Sequence, residues 1–484
     1  MAHWLRDRGF EAYAVDGGVE ALEGKSEPSA AADAATPPPM SEPSSPTALG
    51  ALRHRLFRRY SAGVLLSLTG NWIEAAAFGY VVLLLGGSAA TLGLIGFLNT
   101  IPNLLLGLPA GALADRYDRR KLLALFQGLN MGVALLLMVL WITDSLTVPL
   151  MGAIAIVGGS LGTLSFPAFQ GMLASTVPAR DLESAVAINS LFLQVARFIG
   201  PAVAGVLLAW GGPSWVFGVN AASFLAVLVT LAILPGSRAA AASAASRLGG
   251  AISEGLRYVF GQRSIASLMI LTLLAGVFGS PPIAFMIPAL VRFQLDSGAG
   301  TLGALTAAIG LGSLLGSLAL LRLASRPNKG EPILAGFFLS AAAVAAVGVS
   351  TSVPLSIGLA VVGGFAGVLF VGLSTVVVQA AASDEMRARA MAIWAAAFVG
   401  VLPLGALITA GLAEWLGAGT AVMIDGLVML VGGAIVLALR PEIGWVGCAA
   451  LPEACVAATD PAAVAFEPEP ALGPPAGQAA SGSS

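Results

Sequence analysis

The chain has 484 residues, of which 57% are hydrophobic and only 10% are charged, and its formal net charge is −2. Because soluble domains carry about a quarter charged residues, this composition excludes an ordinary soluble protein. The near-neutral balance gives no reason to expect a nucleic-acid partner. The two cysteines, Cys448 and Cys455, predict neither a disulfide framework nor a metal site, and no cofactor is expected.

The first 60 residues contain no apolar run of the kind a signal peptide needs. Residues 1–25 resemble the closing segment of a rhodanese domain, with a helix, a short strand and a Gly-Gly turn, but without the catalytic cysteine loop. Two interpretations stay open for this segment, a remnant of a fused domain or a chain start set too late. Residues 26–50 are predicted to be a disordered linker, and residues 441–484 a disordered cytoplasmic tail.

Twelve apolar segments follow, each close to the 20 or so residues that a helix needs to cross a bilayer. They predict an all-α polytopic membrane protein with two six-helix bundles, residues 51–235 and 264–440, and a cytoplasmic loop at 236–263 whose residues 252–260 form an amphipathic helix. The predicted spans are 62–86, 91–114, 121–142, 146–172, 184–209, 214–235, 264–290, 301–323, 332–350, 353–380, 389–413 and 418–440.

Positive charge alternates between the loops, as the positive-inside rule requires of a membrane protein. One set of loops contains nearly all of the arginines and lysines, and Arg292 is the exception on the other side. This pattern predicts that both termini are cytoplasmic and that the number of spans is even. The expected location is a bacterial-type plasma membrane, with the lipid bilayer as a partner.

The two bundles contain an internal repeat. The segment that begins at Thr91, "TLGLIGFLNTIPNLLLGLPAGALADR", is echoed about 210 residues later at Thr301 by "TLGALTAAIGLGSLLGSLALLRLASR". A second pair, "LSFPAFQ" at 164–170 and "LSTVVVQ" at 373–379, has nearly the same offset. Two matches at one spacing indicate a duplication with parallel halves, which is a transporter architecture.

A dense cluster of charge separates the second and third spans, "GALADRYDRRK" at 111–121. With the preceding "GLPA" it resembles the loop 2–3 signature of the major facilitator superfamily, G-x-x-x-D-R-x-x-R-R/K. The segments "GNWIEAAA" at 70–77 and "LQVARFIGPAVAG" at 193–205 resemble its enterobactin-exporter-like and macrolide-efflux-like branch, the transmembrane secretion effectors. The resemblance covers roughly residues 55–440. It implies the twelve-helix major facilitator fold, with two pseudo-symmetric halves.

The resemblance also implies a gating role for this cluster. Asp115 would face the start of the eleventh span near Arg387 and Arg389 and hold the two halves together when the cavity opens outward. A plain stop-transfer signal explains the arginines as well, but not Asp115, since acidic residues contribute little to topology. The residues of this gating motif are Gly107, Gly111, Asp115, Arg116, Arg119 and Arg120.

Two charges lie near the middle of predicted spans, Glu74 in the first and Arg197 in the fifth. Ionisable groups at that depth are rare and usually functional. Both residues belong to polar stripes that should face the interior of the bundle, and their equal depth permits an ion pair. Two interpretations stay open, a static pair that stabilises the fold and a proton-coupled switch in which Glu74 is protonated in one state.

The fifth span also contains "GPAVAG" at 200–205, which resembles the antiporter motif of the superfamily through Gly200, Pro201 and Gly205. The motif implies export by association, and its physical content is a tight helix at the interface between the halves. An ordinary packing kink is the alternative. In the fourth span, Pro167 replaces the arginine that many proton antiporters carry, which casts doubt on the usual coupling scheme.

Other polar and aromatic residues in the spans are candidates for a substrate cavity. In the seventh span, "GSPPIAF" at 279–285 removes backbone donors and should bend or unwind the helix. Asp425, in the twelfth span, is expected to serve a helix interface. The cavity candidates are Asn71, Gln170, Gln194, Phe285, Gln379 and Trp394.

These features favour a secondary transporter that exports a small amphipathic molecule, siderophore-like or drug-like, in exchange for protons. An importer or facilitator with the same fold is an alternative, and a membrane sensor or enzyme is a third class. Against an enzyme, the chain has no HExxH, GxSxG or phosphate-binding motif. The small-molecule substrate is not identified by the sequence, and the expected state is a monomer.

Overall fold

The structure is a computed structural model that describes residues 50–234 and 248–445. Within these ranges every regular element is a helix. The predictions for the rhodanese-like segment, for the linker up to residue 49, for 236–247 of the central loop and for the tail beyond residue 445 lie outside the described residues.

Six long helices form the first half, and a 3-10 turn at Gly50–Arg53 precedes them. Another 3-10 turn, Ala179–Asp181, joins the fourth helix to the fifth. The helices are α1 (Arg55–Leu84), α2 (Ala89–Arg116), α3 (Arg119–Ile142), α4 (Val148–Ser175), α5 (Leu182–Gly211) and α6 (Pro213–Ile233).

The second half begins after a shorter helix, α7 (Leu248–Gly261). Helix α8 starts as Arg263–Leu274 and continues to Gln294 through three π-helical segments, and α12 contains one. The remaining helices are α9 (Ala299–Leu323), α10 (Gly330–Val349), α11 (Val353–Ala381), α12 (Asp384–Ala395, π-helical Ala396–Gly400, then Leu402–Leu416) and α13 (Ala418–Leu439).

Twelve of these helices correspond one to one to the predicted spans, which confirms the twelve-helix fold. Eleven of them are long and apolar enough to cross a membrane. The exception is α1, whose 30 residues include the polar stripe of Ser67, Asn71 and Glu74. Most boundaries agree within a few residues, and the largest difference is that α1 begins at Arg55 rather than at residue 62.

The two halves pack in the same way, as expected of parallel repeats. Helix α2 packs on α4 and α3 packs on α6, while α9 packs on α11 and α10 packs on α13. Across the halves, α5 packs on α9 and α2 packs on α12. The repeated segments that begin at Thr91 and Thr301 therefore occupy equivalent helices, α2 and α9.

The outer surface has the character of a lipid-facing surface. Large apolar side chains such as Leu66, Val206 and Leu439 are exposed on it. Trp210 and Trp415 are both 89% exposed at the ends of α5 and α12, and the exposed Trp215 lies at the start of α6. Tryptophan at one level around a bundle is typical of a membrane–water interface.

We call the end of the bundle that carries the loops around Arg116, Arg180, Arg326 and Arg387 the basic end.

A contact between distant segments fixes this end of the first half. The ring of His54 forms a 2.7 Å hydrogen bond with Asp181, and this bond holds the pKa of the Asp181 carboxyl below its usual range. Since a lowered pKa keeps the carboxyl ionised, the stabilisation is present at neutral pH and is lost only as the pH falls through that lowered value.

Candidate functional site

A cavity of about 1320 Å³ lies between the two halves. Carboxamide, hydroxyl and charged side chains line it from the first half, and Phe285, Phe337, Phe370 and Phe398 line it from the second. All the carboxamide and charged side chains of the lining therefore belong to the first half, whereas the wall of the second half is mostly apolar, with a few hydroxyl groups. Among the described residues that line the cavity, Glu74 is the only acid and Arg197 the only base.

Glu74 is held against α6 rather than against Arg197. The side-chain amide of Asn220 donates a 2.6 Å hydrogen bond to the Glu74 carboxylate. Helices α1 and α6 approach closely here because Gly70 faces Ser223, and a Cβ at residue 70 would collide with that hydroxyl. The glycine thus allows the contact between Glu74 and the buried Asn220.

Arg197 instead stacks on an aromatic ring of α1. Its guanidinium carbon lies 5.4 Å from the centroid of the Trp72 ring, which is cation–π geometry. Helix α5 reaches α1 at this level because Gly200 packs directly on the backbone of Ile73 and on Trp72. The ion pair that equal depth permits between Glu74 and Arg197 is not formed among the described residues, because the two side chains point to different neighbours.

Hydrogen bonds join the two halves about one helical turn from Arg197, on the side of the basic end. The side-chain amide of Gln194 donates to the hydroxyl of Ser317 at 2.8 Å and to the carbonyl of Ser313 at 3.3 Å. Gly310 of α9 lies against the backbone of Arg197, which brings α5 and α9 together at this point. Gln194 thus serves both the cavity wall and the contact between halves.

The other cavity candidates divide into two groups. Asn71 and Phe285 line the cavity with Gln194. Gln170 and Gln379 are exposed and lie outside its lining, and the backbone carbonyl of Gln379 accepts a hydrogen bond from Arg387. Trp394 is buried and stacks on Phe398 at 5.7 Å, so it supports the wall rather than facing the cavity.

The halves are in close contact at the end away from the basic loops. Gly205 of α5 faces Gly303 of α9, and a Cβ at residue 205 would lie 2.8 Å from the Cα atom of Gly303. Gly93 of α2 packs against Ala410 of α12 in the same manner. Glycine at these points lets the backbones touch, so this end of the cavity is closed.

At the basic end the halves are apart. The cavity lining extends to Ser165, Ala187 and Leu321, close to the basic loops. A Cβ added at Gly107 or Gly111 would meet nothing within 4 Å. This face of α2 is therefore not packed against a neighbouring helix here, and the cavity opens at the basic end.

Two acids of the charge cluster at 111–121 have different roles in this structure. Asp118 is the N-cap of α3 and accepts hydrogen bonds from the backbone N–H groups of Arg120 and Lys121. The side chain of Asp115, near the end of α2, is 54% exposed and lies 3.6 Å from Arg119 at the start of α3. The neighbouring basic residues bind within the first half, since Arg120 donates to the carbonyl of Leu234.

The arginines at the start of α12 are engaged within the second half. Arg389 forms a 2.6 Å ion pair with Glu254 of α7, and Arg387 donates to the carbonyl of Gln379. The hydroxyl of Tyr258 on α7 also accepts a 3.1 Å hydrogen bond from the backbone N–H of Ser383. The helix predicted at residues 252–260 is present as part of α7. These contacts attach it to the start of α12.

The expected disturbance of the seventh span is present as well. Residues Ala275–Gly279 and Pro282–Met286 of α8 are π-helical, and the second of these segments begins within the Pro281–Pro282 pair. Gly276 lies against the carbonyl of Phe398 in the π-helical part of α12.

Asp425 does serve an interface, because it is buried and accepts a 2.7 Å hydrogen bond from Thr409 of α12.

Sequence reasoning missed Trp72 and Asn220, the two partners of the cavity charges. Asn220 had a usable signal, since it is the only asparagine in the apolar helix α6. Trp72 had none, because an aromatic residue beside a polar stripe is more often a packing residue.

The comparisons with known proteins agree with this architecture. Residues 46–447 match the family described as transmembrane secretion effector. The chain is 25% identical to the multidrug efflux pump Tap of Mycolicibacterium fortuitum, over 81% of this chain and 96% of Tap. It is 26% identical to the enterobactin exporter EntS of Escherichia coli O139:H28 (strain E24377A / ETEC), over 69% of this chain and 79% of EntS.

A third relative and two solved structures complete these findings. The chain is 35% identical to the staphyloferrin A transporter of Staphylococcus aureus (strain NCTC 8325 / PS 47), but only over 36% of this chain and 44% of that transporter. The nucleoside transporter NupG aligns with a TM-score of 0.64 at 13% identity, over 79% of this chain and 98% of NupG. An inward-facing bacterial homologue of the lysosomal transporter Spinster aligns with a TM-score of 0.59 at 14% identity, over 82% of this chain and 97% of the homologue. At 13% and 14% identity, these two solved structures show the shared fold alone.

Proposed function

The chain belongs to the transmembrane secretion effector family of the major facilitator superfamily, and from this membership we propose that it exports a small amphipathic molecule by alternating access. The observation that carries the proposal is the cavity itself, with its amides and charges on one wall and a mostly apolar opposite wall, open at the basic end and closed at the other end. A site with this pair of walls fits a molecule that has both a polar and an apolar part. The named relatives that the chain resembles along most of its length are an efflux pump and an exporter.

The proposed orientation places the basic end and both termini in the cytoplasm of a bacterial-type cell. The loops at this end contain most of the described arginines and lysines, and such loops stay on the cytoplasmic side of a membrane. The exposed tryptophans at the opposite end then lie at the outer surface of the plasma membrane, away from the cytoplasm. In this orientation the cavity faces the cytoplasm and can collect a molecule destined for export.

We further propose that proton antiport drives the cycle and that Glu74 carries the proton. Glu74 is the one described acid in the cavity lining, and its contact with Asn220 would persist after protonation because the second carboxyl oxygen can hold the proton. Protonation would change the charge of the cavity next to the helix interface. The proposed functional unit is a monomer, because the cavity is enclosed by one chain.

The outward-facing state would be held by the gating motif. Asp115 would leave its loop contact with Arg119 and meet the start of α12, while the unoccupied faces of Gly107 and Gly111 would receive a neighbouring helix. Small residues at such positions let two backbones close on each other in a membrane. An importer with the same fold is the second candidate, because the cavity geometry alone does not set the direction of net transport.

Direction is tested by expressing the full chain in a bacterial strain without its main drug exporters. The cells are loaded with the fluorescent amphipath dansylglycinamide and then energised with glucose. The proposal expects faster loss of the dye than in cells with an empty vector, and a protonophore should abolish the difference. Faster energised uptake of the dye would favour the importer and contradict the export proposal.

A further inference from the structure

We infer that Arg197 and Trp72 form a subsite for an anionic group of the transported molecule, so that the substrates are amphipathic anions with an aromatic or otherwise flat apolar body. This inference rests on the proposed export function, which it makes more specific. It starts from the lack of a carboxylate partner for Arg197 among the described residues and from the aromatic residues of the cavity lining.

The guanidinium of Arg197 has no carboxylate partner among the described residues. It is half-buried in the cavity wall, with the Trp72 ring 5.4 Å from its central carbon. An arginine keeps its charge at any physiological pH, and a charge inside a membrane protein without a counter-charge is costly. The indole ring offsets part of this cost but leaves the N–H groups of the guanidinium with hydrogen-bonding capacity.

Glu74 does not supply the counter-charge. Trp72 and Glu74 are two residues apart on α1, about 200° around the helix, and so they face different neighbours. The carboxylate of Glu74 is bound to Asn220 on α6, whereas Arg197 approaches from α5. An anion on the substrate can therefore bind Arg197 without displacing an existing ion pair.

The opposite wall indicates the rest of the molecule. Phe285, Phe337, Phe370 and Phe398 of the second half line the same cavity. An arginine that holds a carboxylate or a similar oxyanion can use two parallel N–H groups, which fixes the orientation of the anion. A substrate held at Arg197 would then extend its apolar body toward these rings.

Three fluorescent probes of one size class test the charge preference directly. Dansylglycine is an anion, dansylglycinamide is its neutral amide and dansylcadaverine is a cation. Binding to the purified full chain in lipid nanodiscs is followed by the rise in dansyl emission. The inference expects the anion to bind roughly tenfold or more tightly than the amide, as for a hydrogen bond to a charged group, and the cation to bind more weakly than either.

Variants of the subsite separate charge from packing. Arg197→Gln should remove the preference for the anion, leaving dansylglycine and its amide within about twofold, while Arg197→Lys should keep part of it. Trp72→Leu should weaken anion binding, and Trp72→Phe should restore most of it. The matched control is Arg292→Gln, which removes an exposed arginine outside the cavity lining and should keep the full preference. Unchanged thermal unfolding of each variant shows that it has folded.

The outcomes distinguish the subsite from the transport function. Equal binding of anion and amide by the parent protein, tighter binding of the cation, or a preference that survives Arg197→Gln would overturn the inference. Energised efflux of the neutral amide by both the parent and Arg197→Gln would in those cases leave the export proposal standing. A parent protein that binds the anion selectively but moves no probe out of cells would support the subsite and contradict export.

Discussion

At the scale of single residues, the cavity shows how partners are chosen around a helix. Glu74 and Arg197 lie at similar depth, yet one binds Asn220 and the other stacks on Trp72. Depth follows from position along a span, but direction follows from the 100° step between successive residues and from which neighbour comes near. Gly70 and Gly200 determine which neighbours come near, because they bring α6 and α5 onto α1.

Glu74→Gln tests the proposed proton carrier. The glutamine side chain keeps an oxygen that can accept the hydrogen bond from Asn220, so the fold and the binding of dansylglycinamide should be retained. Exchange of the probe across proteoliposomes needs no net proton movement and should survive as well. Uphill transport driven by a pH gradient should fall at least tenfold, as measured by probe accumulation in the vesicles.

The matched control for this experiment is Asp425→Asn, a buried carboxyl that does not line the cavity and that binds Thr409. An asparagine oxygen can accept the same hydrogen bond, so gradient-driven transport should be kept. If Glu74→Gln transports against a gradient like the parent, Glu74 carries no proton and the coupling site lies elsewhere.

The functional roles that the sequence suggests for single residues stay predictions, and the structure adds where their side chains lie. Asn71, Glu74, Gln194 and Arg197 line the cavity, as residues on polar stripes of spans should. Gln170 and Gln379 recur in both halves but are exposed, because each lies near the basic end of its helix rather than at mid-depth. A repeated residue records the duplication of the chain and says little about where its side chain points.

At the scale of elements, the surface helix α7 has a specific relation to the gate. Its Glu254 pairs with Arg389, one of the two arginines that Asp115 is proposed to meet when the basic end closes. In that closed state two carboxylates would compete for one guanidinium, and the position of α7 would depend on that of α2. The sequence predicted the amphipathic helix but not this competition, since the pairing depends on Gly255 bringing α7 close to Arg389 and Ile393.

Substitutions at the two competing acids should shift the conformational balance in opposite directions. Asp115→Asn removes a contact of the proposed outward-facing state, worth roughly 1–3 kcal/mol, and should lower transport about five- to 150-fold without loss of membrane insertion. Glu254→Gln frees Arg389 from an exposed pair worth about 0.2–1 kcal/mol, so it should favour closure of the basic end by no more than about fivefold.

The readout is the rate at which a membrane-impermeant maleimide labels Ala187→Cys from the basic side in inside-out vesicles. Ala187 lines the open mouth of the cavity. The expected order of labelling rates is Asp115→Asn fastest, then the parent, then Glu254→Gln. Parental labelling and parental transport in Asp115→Asn would refute the gate and leave the stop-transfer interpretation of the charge cluster.

At the scale of the whole molecule, the sequence predicted the architecture well. Apolar length, loop charge and two repeated segments were enough for twelve helices in two related halves, because a bilayer allows few alternatives to a helix. The same signals carry no information on which end of the cavity is open. That property depends on the contacts between α5 and α9 and between α2 and α12, which form between halves far apart in sequence.

Topology provides the test at this scale. Single cysteines, placed in a background without the two natural ones, should react with an impermeant maleimide in intact cells at Ser88, Ser145 and Ser352. Cysteines at Ser325 and Ser383 should react only after the membrane is opened, because these loops are at the basic end. Labelling of Ser325 in intact cells would contradict the proposed orientation and place the open mouth of the cavity outside.

The glycine contacts at the end of the cavity away from the basic loops bear on the leakage of ions through the protein. Gly205 and Gly303 meet backbone to backbone, and Gly93 packs on the methyl group of Ala410 and the carbonyl of Ala406, so no large side chain has to move at these points. Close packing of this kind leaves little room for water between the helices at these points. Tight contacts at the closed end would therefore help an empty transporter, open on one side, to keep ions from leaking across the membrane and lowering its potential.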